Sequence, residues 1–169
     1  AFVHAGGGAR QRDRCTLELA RLDAAGRWPD AATLATLWER IQPPAVVLML
    51  SDFFDDAAVE LALRLAAARR EVLAVQLLGT DERDFPFTGG HRFREPETGA
   101  ERRVEAFAVR RDYLERFAAA RAELARRFAV AGIDHVEYVL DGPLDGPLRA
   151  LFGSAHALKL PGSKGVLGA

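Results

Sequence analysis

The residues best placed to do chemistry are Ser51 and Asp52. They end the uninterrupted apolar run Ala45-Val46-Val47-Leu48-Met49-Leu50. A short run of this kind reads as a strand buried on both faces, in the middle of a parallel sheet. In open α/β sheets, ligands bind at the carboxyl edge of the strands. A hydroxyl and a carboxylate at that edge could bind a nucleotide or serve a hydrolase. Asp52 could equally cap the helix that follows, as could Asp55 or Asp56, because carboxylates are favoured at helix N-termini. The remaining candidates are weaker. His4, His91, His135 and His156 are scattered and show no His-x-x-x-His spacing of a zinc site. Cys15 is the only cysteine, which excludes an intrachain disulfide and a Cys-based zinc site. Gly6-Gly7-Gly8 lacks both Gly-x-Gly-x-x-Gly and a following Lys-Ser/Thr, so it reads as a flexible turn rather than a phosphate loop.

The composition bounds the setting. The 169 residues are enough for one domain with a core. Hydrophobic residues make up 49% and charged residues 28%, as in an ordinary globular protein. A net charge of -1 argues against a dedicated nucleic-acid or anionic-membrane binder. No stretch approaches the ~18 consecutive apolar residues of a membrane span. With no secretory signal either, a cytoplasmic location is expected, whether or not a longer protein is membrane-anchored. The chain opens on Ala1-Phe2-Val3-His4-Ala5, like a strand met midway and without an initiator Met. The expectation is a piece of a longer protein, lacking its first strand and helix.

The elements that must position Ser51 and Asp52 follow from periodicity. Residues 1–5 are a candidate strand. Residues 14–24 carry Leu17, Leu19, Ala20 and Leu22 in a helical pattern ended by Gly26. Leu34, Leu37, Trp38 and Ile41 predict a helix over 31–41, stopped by Pro43-Pro44. The strand at 45–50 leads to a helix at 56–69 and a second buried strand at 72–78. His91-Arg92-Phe93-Arg94-Glu95 and Arg102-Arg103-Val104-Glu105-Ala106 alternate with period two around a Pro96-Glu97-Thr98-Gly99 turn. They predict an inserted β-hairpin around 91–107. A long helix over 109–131 buries Tyr113, Leu114, Phe117, Leu124 and Phe128, and Gly132 caps it. A strand at 133–140 and a helix at 144–152 complete the pattern, and a flexible tail is expected over 153–169.

Alternating strands and helices imply an α/β fold. It is a doubly wound, mostly parallel sheet flanked by helices, Rossmann-like in its connections. Residues 1–152 are expected to form one partial domain of this kind. The aromatic residues Phe85, Phe87 and Phe93 near the hairpin either cover the sheet edge, the preferred reading, or form an exposed contact patch.

The strand Val46-Val47-Leu48-Met49-Leu50-Ser51-Asp52-Phe53-Phe54-Asp55 resembles the hallmark strand of the bacterial domain-of-unknown-function family 58. The segment Gly79-Thr80-Asp81-Glu82-Arg83-Asp84-Phe85-Pro86-Phe87 is similar to the family's stretch after the next strand. Phe93-Arg94-Glu95-Pro96-Glu97-Thr98-Gly99 resembles its "D-x-E-T-G" hairpin, and Tyr113 with Gly132-Ile133-Asp134 fits its final third. The resemblance covers about residues 10 to 152. It implies a von Willebrand factor A-like domain whose loops can hold a divalent cation, Mg²⁺ or Mn²⁺. Asp52 matches the third-loop Asp of that site, beside Ser51, and Thr33 is the nearest candidate for its second-loop Thr. The first-loop Asp-x-Ser-x-Ser is absent from these residues, so the site is incomplete here. The resemblance further implies work beside a MoxR-type AAA+ ATPase in the assembly or maturation of protein complexes.

Three function classes follow. The first is a non-enzymatic protein-interaction module that docks partners through a cation near Asp52. The second is a Rossmann-like enzyme or nucleotide binder at the Ser51-Asp52 edge. The absence of a Gly-rich phosphate fingerprint or a Gly-x-Ser-x-Gly elbow counts against it. The third is a scaffold with a degenerate metal site that binds partners through its hairpin.

Overall fold

In the computed structural model, which describes residues 3–4, 6–23, 34, 38–94 and 99–153, three apolar runs pair into one parallel sheet. β1 (Val46–Ser51), β2 (Glu71–Leu78) and β5 (Asp134–Val139) lie in the order β1-β2-β5. The register runs from Val46 beside Glu71 to Ser51 beside Gln76, and from Leu73 beside Asp134 to Leu78 beside Val139. Side chains alternate across a strand, so each strand serves two layers. Val47, Met49, Val72 and Ala74 meet α2 (Asp56–Ala67) and α4 (Ala106–Ala131). Leu73, Val75, Leu77, Val136 and Tyr138 meet Leu151 of α5 (Gly146–Gly153). Helices therefore cover both faces, the α/β class expected. The inserted hairpin is present as β3 (Gly90–Arg94) and β4 (Glu101–Glu105), paired antiparallel between α3 (Thr80–Asp84) and α4.

The helices that carry the core form for local reasons. Asp55 is the N-cap of α2, its carboxylate accepting the Ala57 N–H at 2.8 Å. Val59, Ala62 and Leu65 then face the sheet at helical spacing. In α4, Phe117, Leu124 and Phe128 recur one or two turns apart and are buried. Phe128 is fully enclosed, edge-on to Phe53 at 5.2 Å and to His135 at 5.3 Å. Gly132 ends α4 in the left-handed conformation, φ 70°, as its place after the helical pattern predicts.

Some expectations change. β1 was expected in the middle of the sheet, buried on both faces. Among the described residues it lies at one end, with Val46, Leu48 and Leu50 exposed by 51%, 49% and 61%. The strand enclosed on both faces is β2, where Val72 to Gln76 are all buried. An unbroken apolar run reports hydrophobicity, and the number of neighbouring strands is a tertiary property that it does not encode. The helix expected at 14–24 is α1 (Gly8–Ala20), which starts directly after Gly7. Of the candidate strand at 1–5 only Val3 and His4 are described, and neither is in a strand. Leu34 and residues 38–40 are helical, in line with the helix expected at 31–41; Ile41 is already a bend beyond it, and 31–33 and 35–37 lie outside the described set. The expected tail, beyond Gly153, also lies outside it. The chain divides into two compact units, Ala1–Asp30 and Ala31–Ala169. The first holds α1, tied locally by Gln11 Nε2 donating to the His4 carbonyl at 2.7 Å. Among the described residues no helix is long and apolar enough to cross a membrane.

Candidate functional site

The carboxyl edge of the sheet carries two adjoining features, a polar turn after β1 and an aromatic groove after β2. At the turn, the Phe53 N–H donates to Ser51 Oγ at 3.0 Å, and the Phe54 N–H donates to Asp52 Oδ1 at 3.1 Å. These short-range bonds are the reason Ser and Asp suit the position. Phe53 itself has φ 57°, a left-handed backbone that costs a bulky residue about 1–3 kcal/mol. Burial of its ring against Phe128 offsets that cost.

Behind the turn, a polar row crosses the sheet. Ser51 is the register partner of Gln76, and Gln76 of Glu137. Gln76 is only 2% exposed. Its Nε2 donates to the Asp52 carbonyl at 3.1 Å, and among the described residues its Oε1 has no partner. Glu137 is held by a two-pronged pair with Arg121, one prong being Nε to Oε1 at 2.7 Å and the other Nη2 to Oε2. The Arg121 hydrogen bond lowers the Glu137 carboxyl below its ordinary range, against the opposing effect of burial. The same guanidinium lies over the Phe117 ring, 5.6 Å from its centroid. His135 is on the same face as Glu137, with Nε2 enclosed and unpartnered among the described residues. Burial pushes its pKa down, while Glu137 acts in the opposite sense.

The groove begins where β2 ends. Glu82 caps α3 by accepting the Gly79 N–H at 2.7 Å. Phe85 ends that helix with φ 43° and is buried. Arg110 of α4 steadies this turn, donating to the carbonyls of Phe85 at 3.2 Å and Asp84 at 3.1 Å. Tyr113 donates to the Glu82 carbonyl at 2.9 Å, and its hydroxyl pKa is raised, chiefly by burial and then by the Glu82 charge. The Phe85 ring meets Tyr113 at 4.7 Å, Phe87 at 5.2 Å and Phe93 at 5.9 Å. Tyr113 stacks on Phe117 at 5.6 Å. Together these five rings floor a largely apolar groove of about 780 Å³ between the hairpin and α4. Phe54, next to the polar turn, leans on Phe117 at 6.1 Å, so the two features share a wall. The two readings of the hairpin aromatics thus divide by residue. Phe85 is packed inside, whereas Phe87 and Phe93 are half-buried and line open space.

Of the metal-ligand candidates, Ser51 and Asp52 are adjacent at the strand end, and Thr33 lies outside the described residues. Mg²⁺ takes near-octahedral oxygen ligands. Ser51 and Asp52 each already accept a backbone N–H, and among the described residues no three His, Cys, Asp or Glu side chains converge. The donors in view do not by themselves make a cation site. Three features were not picked out from the chain: Gln76, the Arg121–Glu137 pair, and Tyr113 with Phe117 as groove floor. A signal existed for the first, since Gln76 is the lone polar residue in Val72-Leu73-Ala74-Val75-Gln76-Leu77-Leu78. The Arg121–Glu137 pair joins different elements and left no local mark.

A family model described as a protein of unknown function, DUF58, matches residues 1–123. No curated protein and no solved structure matches.

Proposed function

Because the chain belongs to the DUF58 family, matched over residues 1–123 of its 169, we propose that it is a non-enzymatic protein-interaction module of von Willebrand factor A-like type. It docks partners at the carboxyl edge of its parallel sheet. The observation that carries this reading is the open aromatic groove at that edge. Monomeric proteins rarely leave a large contiguous apolar surface without a binding role. The family resemblance supports a partner, a MoxR-type AAA+ ATPase, and a cytoplasmic role in the assembly or maturation of protein complexes.

A second reading has docking assisted by Mg²⁺ or Mn²⁺ at Asp52, which is exposed at the same edge. The enzyme reading has less behind it, because the Ser51 hydroxyl accepts the Phe53 N–H and carries no bond to a histidine or carboxylate among the described residues. The test is binding of a purified MoxR-type ATPase to the immobilised chain, with Phe87→Ser/Phe93→Ser beside the wild type. Saturable binding that the double variant weakens at least tenfold, with its circular dichroism unchanged, is the expected result. No binding, or binding indifferent to both changes, refutes the proposal.

A further inference from the structure

We infer that the peptide between Asp52 and Phe53 is a two-state switch, able to turn over while the residues on either side stay in place. The inference does not depend on what the edge binds.

Both sides of this peptide face a group that can answer in either sense. In the conformation described, its carbonyl accepts from Gln76 Nε2 at 3.1 Å, and its N–H donates to Ser51 Oγ at 3.0 Å. A side-chain amide carries both a donor and an acceptor, and a hydroxyl is both at once. With the peptide turned over, the N–H faces Gln76, whose Oε1 accepts it once the side-chain amide rotates. The carbonyl then faces the Ser51 hydroxyl, which donates. Two hydrogen bonds exist in each state, with their directions exchanged. Arg69 and Phe85 also have positive φ, but their N–H groups donate to the carbonyls of Ala66 and Asp81, which can only accept. Only at Phe53 do the partners allow the reversal.

The two states oppose different costs. The one described holds bulky Phe53 at φ 57°, in the left-handed region, and leaves Gln76 Oε1 enclosed without a partner among the described residues. Turning the peptide relieves the backbone. Type I and type II turns are related in this way, with φ of the third residue about −90° in one and about +80° in the other. The rotated amide then puts Nε2 where Oε1 was, an enclosed donor without a partner. Relief of the backbone is set against that orphaned donor. The flanking anchors are common to both states. The Phe53 ring meets Phe128 at 5.2 Å, and the Phe54 ring meets Phe117 at 6.1 Å. Ser51 is held in register with Gln76, and the Phe54 N–H, which donates to Asp52 Oδ1, lies outside the turning peptide.

The switch reports occupancy of the edge. A ligand that takes the Ser51 hydroxyl as its acceptor deprives the Phe53 N–H, which then turns to Gln76. Binding at the turn thereby shifts the balance at the buried polar row.

The test is nuclear magnetic resonance on the whole chain, by relaxation dispersion. In the wild type, the Phe53 amide and the Gln76 side-chain amide should exchange with one shared rate. Ser51→Ala removes the acceptor of the N–H in the state described, and an orphaned N–H is rarer than an unpaired carbonyl. The turned population should therefore rise about fivefold or more. The strong cross-peak between Phe53 Hα and its own amide proton, the mark of a positive φ, should weaken with it. Gln76→Met removes the acceptor of the turned state and should lower that population about as much. Flat profiles in the wild type, or variants that shift the population in the same direction or not at all, overturn the inference. Should Ser51→Ala fail to fold, loss of the shared exchange in Gln76→Met supports the switch, and its persistence overturns it.

Discussion

Replacing Gln76 with Met isolates the polar row beneath the Ser51-Asp52 turn. Met matches Gln in length and flexibility but carries no amide. Gln76 is 2% exposed, so its amide is shielded from bulk water. The change removes the 3.1 Å bond from Nε2 to the Asp52 carbonyl, a net loss of about 0.5–1.5 kcal/mol. The Asp52 residue is exposed, which leaves water to replace that donor. The change also removes the unpartnered Oε1, whose burial costs about 1–3 kcal/mol. The balance is a stabilisation of about 1 kcal/mol, or a melting temperature higher by roughly 2–4 °C. Urea unfolding followed by circular dichroism, with an unchanged m-value, measures it. A loss of more than about 2 kcal/mol would refute the reasoning, because Oε1 must then be satisfied in the folded state. A gain in stability accompanied by weaker partner binding would mean that the strained polar row serves docking rather than folding.

Phe128→Ala empties the fully enclosed site between Phe53 and His135 and should cost about 3–5 kcal/mol in the same assay. Asp55→Ala removes the cap of α2 and should cost about 1 kcal/mol, with Asp55→Asn losing less. Acidification should lower the melting temperature in two stages. The folded pKa of His135 is depressed, so the stability tied to its neutral form is complete above the ordinary imidazole value of about 6.5 and is lost as pH falls toward the folded value. Glu137 is also depressed, through Arg121, so its contribution is complete above the ordinary carboxylate range and is lost at lower pH, as it passes its folded value. His135→Leu should remove the upper stage and Glu137→Gln the lower. Calorimetric titration with Mg²⁺ or Mn²⁺ should show no saturable heat that Asp52→Ala abolishes; such a heat would restore cation-assisted docking.

Local patterning was enough to place β1, β2, β5, the hairpin, α2 and α4 within a few residues, and to put Ser51 and Asp52 at a strand's carboxyl end. Those features depend on period-two and helical spacing, on Asp55 as a cap and on Gly132 as a stop, each encoded within one or two turns of chain. The place of β1 in the sheet was not legible, because Val46, Leu48 and Leu50 read as core residues whatever stands beside them. Nor was the groove. Phe85 and Phe93 come from one stretch of chain, Tyr113 and Phe117 from another, and no periodicity joins a hairpin to a helix face. The same holds for Arg121 with Glu137, which come from a helix and a strand. Charge pairing depends on distance in space, so the sequence determined which groups are present and only the packed structure decided which of them are answered.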